Sequence, residues 1–439
     1  MSSSCATEPG VITTPVTSTA DAAPSATAGA PGNGGVDYSR FGVLLIGSIA
    51  LMSAISPLAT DMYLPAFPTM ATELGTDAST IQLTLTTFMI GLALGQLVLG
   101  TLSDRIGRRP LLIGGAALLT ISSALCALAP SIGFLIVLRF IQGLAGAAGM
   151  VLGRAVVADR AVGARAARIF SVLGVIGALS PIAAPILGSV LFSSVGWRGI
   201  FWAITGVAAV LFLAILALVP ESLPVERRHR GGLAEFRRTA AGVVRNRVYI
   251  GHTLTLCFGF GAIFAYVSAS PFLMQNVLGF SSTGFSIIFA VNSCGLMLAS
   301  GTSALIVGRV APESILRFGV VCLSSASVLL AVVALAGWTN AYTVLPLLFI
   351  VVSSIALIFS NGMVLAIAQL PRSAGTASAI LGSGQFTIGA LVSPLVGLAG
   401  EFSAVPMAIT MAGCGVIAAV GHFVVARPKA AVADGVLVA

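Results

Sequence analysis

The stretch Gly100–Pro110, G-T-L-S-D-R-I-G-R-R-P, sets Asp104, Arg105, Arg108 and Arg109 between two apolar runs, 79–102 and 111–129. A chain that leaves one apolar run and enters the next within a few residues is turning back at a membrane surface, and its arginines hold the turn on one side. Gly107 permits a tight turn. Asp104 is the odd member, because an acid at a helix C-terminus opposes the macrodipole. It needs a partner, either the neighbouring arginines or the positive N-terminus of another helix. A plain basic loop accounts for the arginines but not for Asp104 or the glycines.

Outward from this turn the chain keeps the same pattern. Of its 439 residues 57% are hydrophobic and 8% charged, with a mean hydropathy of +1.06; soluble domains are about 25% charged. The fold class is therefore an all-α polytopic membrane protein. Twelve spans are expected, at 41–67, 79–102, 111–129, 131–155, 168–194, 199–219, 249–275, 283–307, 314–336, 342–368, 374–398 and 404–426. The third and fourth are separated only by Ala129-Pro130-Ser131. Nineteen basic residues (22 less Arg139, Arg154 and Arg198) fall on one side. The positive-inside rule makes that side cytoplasmic, with both termini inside a multi-pass cell (inner or plasma) membrane protein. The net charge of +8 thus reads as topology, and no nucleic-acid partner is expected.

Pro220 to Tyr249 carries seven arginines and divides six spans from six. The expected organisation is a disordered cytoplasmic tail (1–38), an N-terminal six-helix bundle (39–222), a cytoplasmic linker (223–248), a C-terminal six-helix bundle (249–427) and a cytoplasmic tail (428–439). The Ser-, Thr-, Ala-, Pro- and Gly-rich composition of the first segment buries too little surface to order itself. The two bundles suggest repeats about an axis along the membrane normal. Six scattered cysteines and three separated histidines, His229, His252 and His422, form no ligand motif, so neither disulfide nor metal is expected.

Inside the spans, charge is scarce. Asp61, in T-D-M-Y-L-P-A-F-P, is the single acid placed within any span, which makes it a functional candidate; the bland reading is a solvated helix end. Arg139 is an intramembrane cation, costly unless paired or facing water. Counting 1.5 Å per residue puts Arg139 about 12 Å and Asp61 about 9 Å from the outer surface. The two opposite charges therefore stand at similar depth, and depth does not fix whether they face each other. Beside Arg139 the Asp61 carboxyl is held ionised; apart from it the proton is favoured. Such a movable charge makes Asp61 and Arg139 the candidates for proton coupling. Gly174, Gly177, Pro181, Pro185 and Gly188, spaced 3, 4, 4 and 3, share one helix face. Such a smooth face lets another helix approach and slide. Polar residues expected at a central cavity are Tyr63, Tyr266, Asn292, Asn361 and Gln385; for each, a helix–helix hydrogen bond is the alternative.

Gly100–Pro110 resembles the signature loop of the major facilitator superfamily. L-R-F-I-Q-G-L-A-G-A-A-G from Leu138 resembles that superfamily's second motif, with Arg139, Gln142 and Gly143 at matching positions. L-S-P-I-A-A-P-I-L-G from Leu179 resembles its antiporter motif, with Ser180 in place of the usual Gly. T-D-M-Y-L-P-A-F-P and I-Q-L-T-L-T-T-F from Ile81 look like the Bcr/CflA subgroup of bicyclomycin and chloramphenicol resistance pumps. The resemblance implies two six-helix bundles, a contact between the fifth and eighth spans, and antiport of a small drug against protons. Chloramphenicol or a related amphenicol is the first expectation, with a monomer in the bilayer and the proton gradient in place of a cofactor. Gly100, Asp104, Arg105, Gly107, Arg108 and Arg109 are expected to form a conformational latch, Asp104 reaching the start of the eleventh span (374–378) when the molecule opens outward. Some multidrug relatives carry a second acid in the first span and this chain does not, leaving Asp61 as the proton carrier. The alternatives are a symporter or an exporter of another metabolite and, remotely, a membrane-embedded enzyme. No H-E-x-x-H, G-x-S-x-G or G-x-x-x-x-G-K-[ST] occurs, so neither hydrolase chemistry nor ATP-driven pumping is expected.

Overall fold

The computed structural model describes residues 38–427 except 162, 225, 227, 229–232 and 399. The expected tails therefore lie outside the described residues, apart from Tyr38, and so do Cys5, His229 and Lys429. In hydrocarbon a backbone N–H or C=O finds no water, so an apolar run must satisfy itself as a helix. The long helices are α1 (Tyr38–Asp61), α2 (Ala78–Ile106), α3 (Arg108–Ala127) and α4 (Ile132–Arg160). The stretch Gly163–Leu218 is helical except at Gly196, where φ is 69°; it forms α5 (163–195) and α6 (197–218). Next come α7 (Arg247–Phe272), α8 (Ser282–Ile306), α9 (Pro312–Leu335), α10 (Ala341–Ala368), α11 (Ala374–Val392) and α12 (Val405–Ala419).

The first span differs from expectation at its end. It stops at Asp61, and the chain continues as a 3₁₀ turn (Leu64–Ala66) and a short helix (Phe67–Glu73). Pro65 and Pro68 stand at the first turns of these two pieces, where a missing N–H costs nothing, while inside a longer helix each would break it. Asp61 is thereby a helix terminus rather than an interior residue.

Glycines set the closest approaches within the N-terminal half. A Cβ on Gly143 would stand 2.0 Å from the Phe88 carbonyl oxygen, and one on Gly91 2.3 Å from that of Phe140. Backbone meets backbone there, which locks α2 against α4. The two halves meet on the face away from the arginine-rich loops. Gln82 Nε2 donates to the Ser268 carbonyl (3.1 Å) and Ser393 Oγ to that of Gln82 (3.4 Å). Ser79 Oγ donates to the Pro394 carbonyl (3.4 Å) and Gln275 Nε2 to that of Pro65 (3.2 Å). One buried apolar cluster runs across this face from Tyr63 and Phe88 to Phe285 and Met411. Between the halves toward the basic face lies an open chamber, at whose wall Gln96 of α2 still packs on Gly382 of α11. The molecule is closed on one face and open on the other.

Candidate functional site

A central cavity of about 260 Å³ lies between the halves. Ser56, Pro57, Thr60 and Asp61 from α1, Met89 and Leu92 from α2, Met150 from α4 and Pro181 from α5 line one side. The other half contributes Phe260, Phe264, Tyr266, Phe289, Phe359 and Phe386 among others. Asp61 is 7% exposed, is the single ionisable carboxyl of this lining, and has no hydrogen-bond or ion-pair partner among the described residues. Phe260 stacks on Phe264 (centroids 4.5 Å) and meets Phe386 edge-on (5.3 Å). Such aromatic faces offer area to a small apolar ligand, with a few polar groups to orient it. Met150, Phe260, Phe359 and Phe386 also line a second chamber, of about 530 Å³, that opens on the basic face. The two chambers thus share a wall that includes three aromatic rings.

Of the residues expected at the cavity, Tyr266 lines it, and its hydroxyl accepts from Asn292 Nδ2 at 2.9 Å. Asn292 thus orients Tyr266 from behind. Gln385 lines the basic-face chamber. Asn292, Tyr63 and Asn361 differ from expectation, since all three lie outside the two linings. Tyr63 is fully buried in the N-terminal half, its hydroxyl 3.1 Å from Thr84 Oγ1 and its ring 4.9 Å from that of Phe67. Asn361 Nδ2 donates to Ser303 Oγ and to the Leu357 carbonyl, both at 2.9 Å, tying α10 to α8.

Arg139 is also placed differently from expectation. Among the described residues no ion pair joins it to Asp61. It is fully buried, and Nη1 donates to the Ala59 carbonyl at 3.0 Å and to Gln142 Oε1. Gln142 Nε2 in turn donates to Ser123 Oγ (2.7 Å). The guanidinium carbon lies 4.2 Å from the Phe88 ring centroid and 4.4 Å from that of Tyr63. The physical reason is the early end of α1. Carbonyls of the last turn find no N–H within the helix. The Met62 N–H takes that of Leu58 at 3.1 Å, that of Ala59 is left for another donor, and a cation is favoured at that end. Arg139 holds the helix end that carries Asp61, not the carboxylate itself.

The face of five Gly and Pro residues divides in two. Pro185 lacks the N–H that would bond the Pro181 carbonyl, and Ser293 Oγ of α8 donates to that carbonyl at 3.4 Å. Ser286 Oγ, also of α8, donates to the Pro185 carbonyl at 2.9 Å. A Cβ on Gly188 would stand 1.9 Å from the Met62 carbonyl oxygen. The α5–α8 contact is thus made from 181 onward. Gly174 and Gly177, nearer the basic face, have nothing within 4 Å of a built Cβ.

At the Gly100 loop, Gly107 has φ 110° and caps α3. It offers no side chain to the first N–H groups of α3, so an acid from the end of α6 supplies the cap. Glu221 accepts from the backbone of Arg108 (Oε1, 2.9 Å), Arg109 (Oε2, 3.2 Å), Ser222 and Leu223 (both 3.0 Å). Desolvation alone would raise the Glu221 carboxyl; the N–H groups of Leu223, Arg108, Arg109 and Ser222 outweigh it and hold it below the ordinary glutamate value. Arg108 pairs with Asp104 (2.7 Å) and Asp159 (3.2 Å). Arg109 Nη2 donates to the Leu216 carbonyl (3.1 Å), and Arg105 is exposed. In this state, open at the basic face, Asp104 holds Arg108. Among the described residues no ion pair joins Asp104 to the start of α11.

Reading by sequence spacing missed two groupings. Glu221 follows Pro220 with nothing local to mark it as a cap. His252 and His422, far apart in the chain, have rings 6.2 Å apart, with His422 Nε2 3.7 Å from Glu313 Oε1. Gly251 and Gly421 bring them together: a Cβ on Gly421 would stand 2.9 Å from the Gly251 carbonyl oxygen.

Two six-helix halves around a path closed at one end define a transporter fold. The Major Facilitator Superfamily profile matches residues 49–394, and the chain belongs to that family. It is 36% identical over 381 residues to the uncharacterized MFS-type transporter YdgK of Bacillus subtilis (strain 168), covering 85% of this chain and 93% of the relative. To the bicyclomycin resistance protein homolog of Haemophilus influenzae it is 29% identical, covering 87% and 95%. To a chloramphenicol resistance protein of Pseudomonas aeruginosa it is 36% identical, covering 66% and 68%. These relatives place it in a drug-efflux subgroup of transporters, not among enzymes. The crystal structure of a point mutant of the nucleoside transporter NupG superposes with a TM-score of 0.69 at 15% identity, covering 87% and 99%, which shows the shared fold.

Proposed function

We propose that the chain exports a small, largely neutral antibiotic in exchange for protons, with amphenicols the first candidates. The observation that carries this reading is the central cavity, walled by aromatic and aliphatic side chains around one carboxyl, Asp61. A neutral drug needs aromatic surface and a hydrogen-bonding group or two, not a counter-ion. The chloramphenicol and bicyclomycin names of the relatives support the substrate class. The basic face is read as cytoplasmic, so the open chamber faces the drug inside the cell.

In this cycle drug enters from the basic face and Asp61 gives up its proton as drug binds. The halves then rock to open the other face, a proton neutralises Asp61, and the drug leaves. Only a ligand or proton that distinguishes two states shifts their populations, and Asp61 is the group in the cavity that changes charge. Arg139 contributes by fixing the end of α1 rather than by neutralising Asp61 in this state. Drug accumulation in intact cells, with and without a protonophore, tests the reading. Expression should lower chloramphenicol accumulation severalfold, and the protonophore should restore it. Protection that survives collapse of the gradient contradicts proton coupling; protection from none of the amphenicols or bicyclomycin contradicts the substrate class.

A further inference from the structure

The proposed cycle leaves one charge on the path unused. Arg154 is on α4, fifteen residues beyond Arg139 and so about 22 Å along the helix. It lines the basic-face chamber, is exposed there, and has no ion-pair or hydrogen-bond partner among the described residues. Arginines within spans ordinarily pair or reach for a membrane surface; this one is turned into the chamber without a counter-ion. Its neighbours in the lining include Gln96, Ser378 and Gln385, and no acid is among them. Asp61 lies in the inner cavity, beyond the rings of Phe260, Phe359 and Phe386. A ligand entering from the basic face passes Arg154 before it meets Asp61.

We propose that Arg154 is a charge filter that admits neutral and anionic ligands to the central cavity and opposes cations, and so sets the substrate class of the Asp61 site. The inference rests on reading the two chambers as one transport path. Low-dielectric walls focus the field of a lone charge along such a path. At a separation of about 10 Å, Coulomb's law with effective dielectrics from 20 to 80 gives a discrimination of about 2- to 20-fold between a cation and a neutral ligand. Asp61 when ionised attracts cations in the inner cavity; Arg154 offsets that attraction at the entrance.

The test uses two probes of nearly equal size and opposite charge, tetraphenylphosphonium and tetraphenylborate. Their apparent affinities for the purified full chain in detergent are measured by equilibrium dialysis, for wild type, Arg154→Lys, Arg154→Gln and Arg154→Glu. The expected result is a wild-type affinity ratio that favours the borate and is kept within twofold by Arg154→Lys. Arg154→Gln should shift the ratio toward the phosphonium about fivefold, and Arg154→Glu by tenfold or more. The same ratio in all four proteins overturns the filter, as does a shift by Arg154→Lys as large as that by Arg154→Gln, which would make shape rather than charge the cause. Absence of saturable binding of either ion to wild type overturns it too. A wild type that shows the expected ratio but exports no amphenicol would sink the substrate reading and leave the filter standing.

Discussion

At the scale of the residue, the site depends on where α1 stops. Arg139 bonds the Ala59 carbonyl and Gln142 and lies over two rings. Arg139→Ala strands a buried carbonyl and an amide, each costing about 1–3 kcal/mol, and removes cation–π contacts worth about 0.5–2 kcal/mol. We expect a marked loss of thermal stability in detergent together with impaired efflux, and partial recovery of stability in Arg139→Lys. Unchanged melting of Arg139→Ala would refute this anchoring role. The sequence already singled out Asp61 and Arg139, because charges inside apolar runs are conspicuous. It did not reveal that they are unpaired in this state. That outcome depends on Pro65 and on the free carbonyls of a helix end, and equal depth in the membrane says nothing about facing. Tyr63 and Asn361 show the same limit: polarity marks a buried hydrogen bond as readily as a cavity wall.

At the scale of the element, two devices make separable predictions. Glu221 caps α3 in place of the side chain that Gly107 lacks. Glu221→Gln should lower stability near neutral pH by about 1 kcal/mol, the typical size of an N-cap. Because the folded carboxyl is held below its ordinary 4.5, the wild-type advantage is present above that value and lost as pH falls through the folded pKa. Melting temperatures of the two proteins should therefore converge as pH falls through the folded pKa, below the ordinary 4.5; a gap that persists into acid would show that charge is not the cause. On α5, Gly188→Ala must displace the backbone of Met62, and overpacking of this kind costs about 1–3 kcal/mol. Gly174→Ala meets open space in this state and should leave melting unchanged. If 174 and 177 pack only when the basic face closes, Gly174→Ala should instead slow transport; normal transport would confine the packing face to 181–188. The 3–4 spacing made the whole face visible in the sequence. Which part packs was not visible, because it depends on the conformational state.

At the scale of the whole molecule, the apolar runs and one-sided arginines made twelve helices and a 6+6 division legible, since the bilayer leaves a spanning chain few other structures. The tight turn at Gly107 was legible too. The shape of the path was not, because the ring cluster of Phe260, Phe359 and Phe386 gathers residues from three helices that no motif links. On the face away from the arginines, beside the buried apolar cluster that closes it, Ser189 Oγ of α5 meets Thr283 Oγ1 of α8 at 3.4 Å. A disulfide in Ser189→Cys/Thr283→Cys should hold that face shut, abolish efflux and release it on reduction; full efflux by the oxidised pair would rule out rocking at this contact. The central claim is that Asp61 couples proton movement to drug binding. Its most direct test is drug-induced proton release from the purified protein in weakly buffered detergent solution. The account predicts proton release when chloramphenicol binds wild type and none when it binds Asp61→Asn; equal release from both would contradict it.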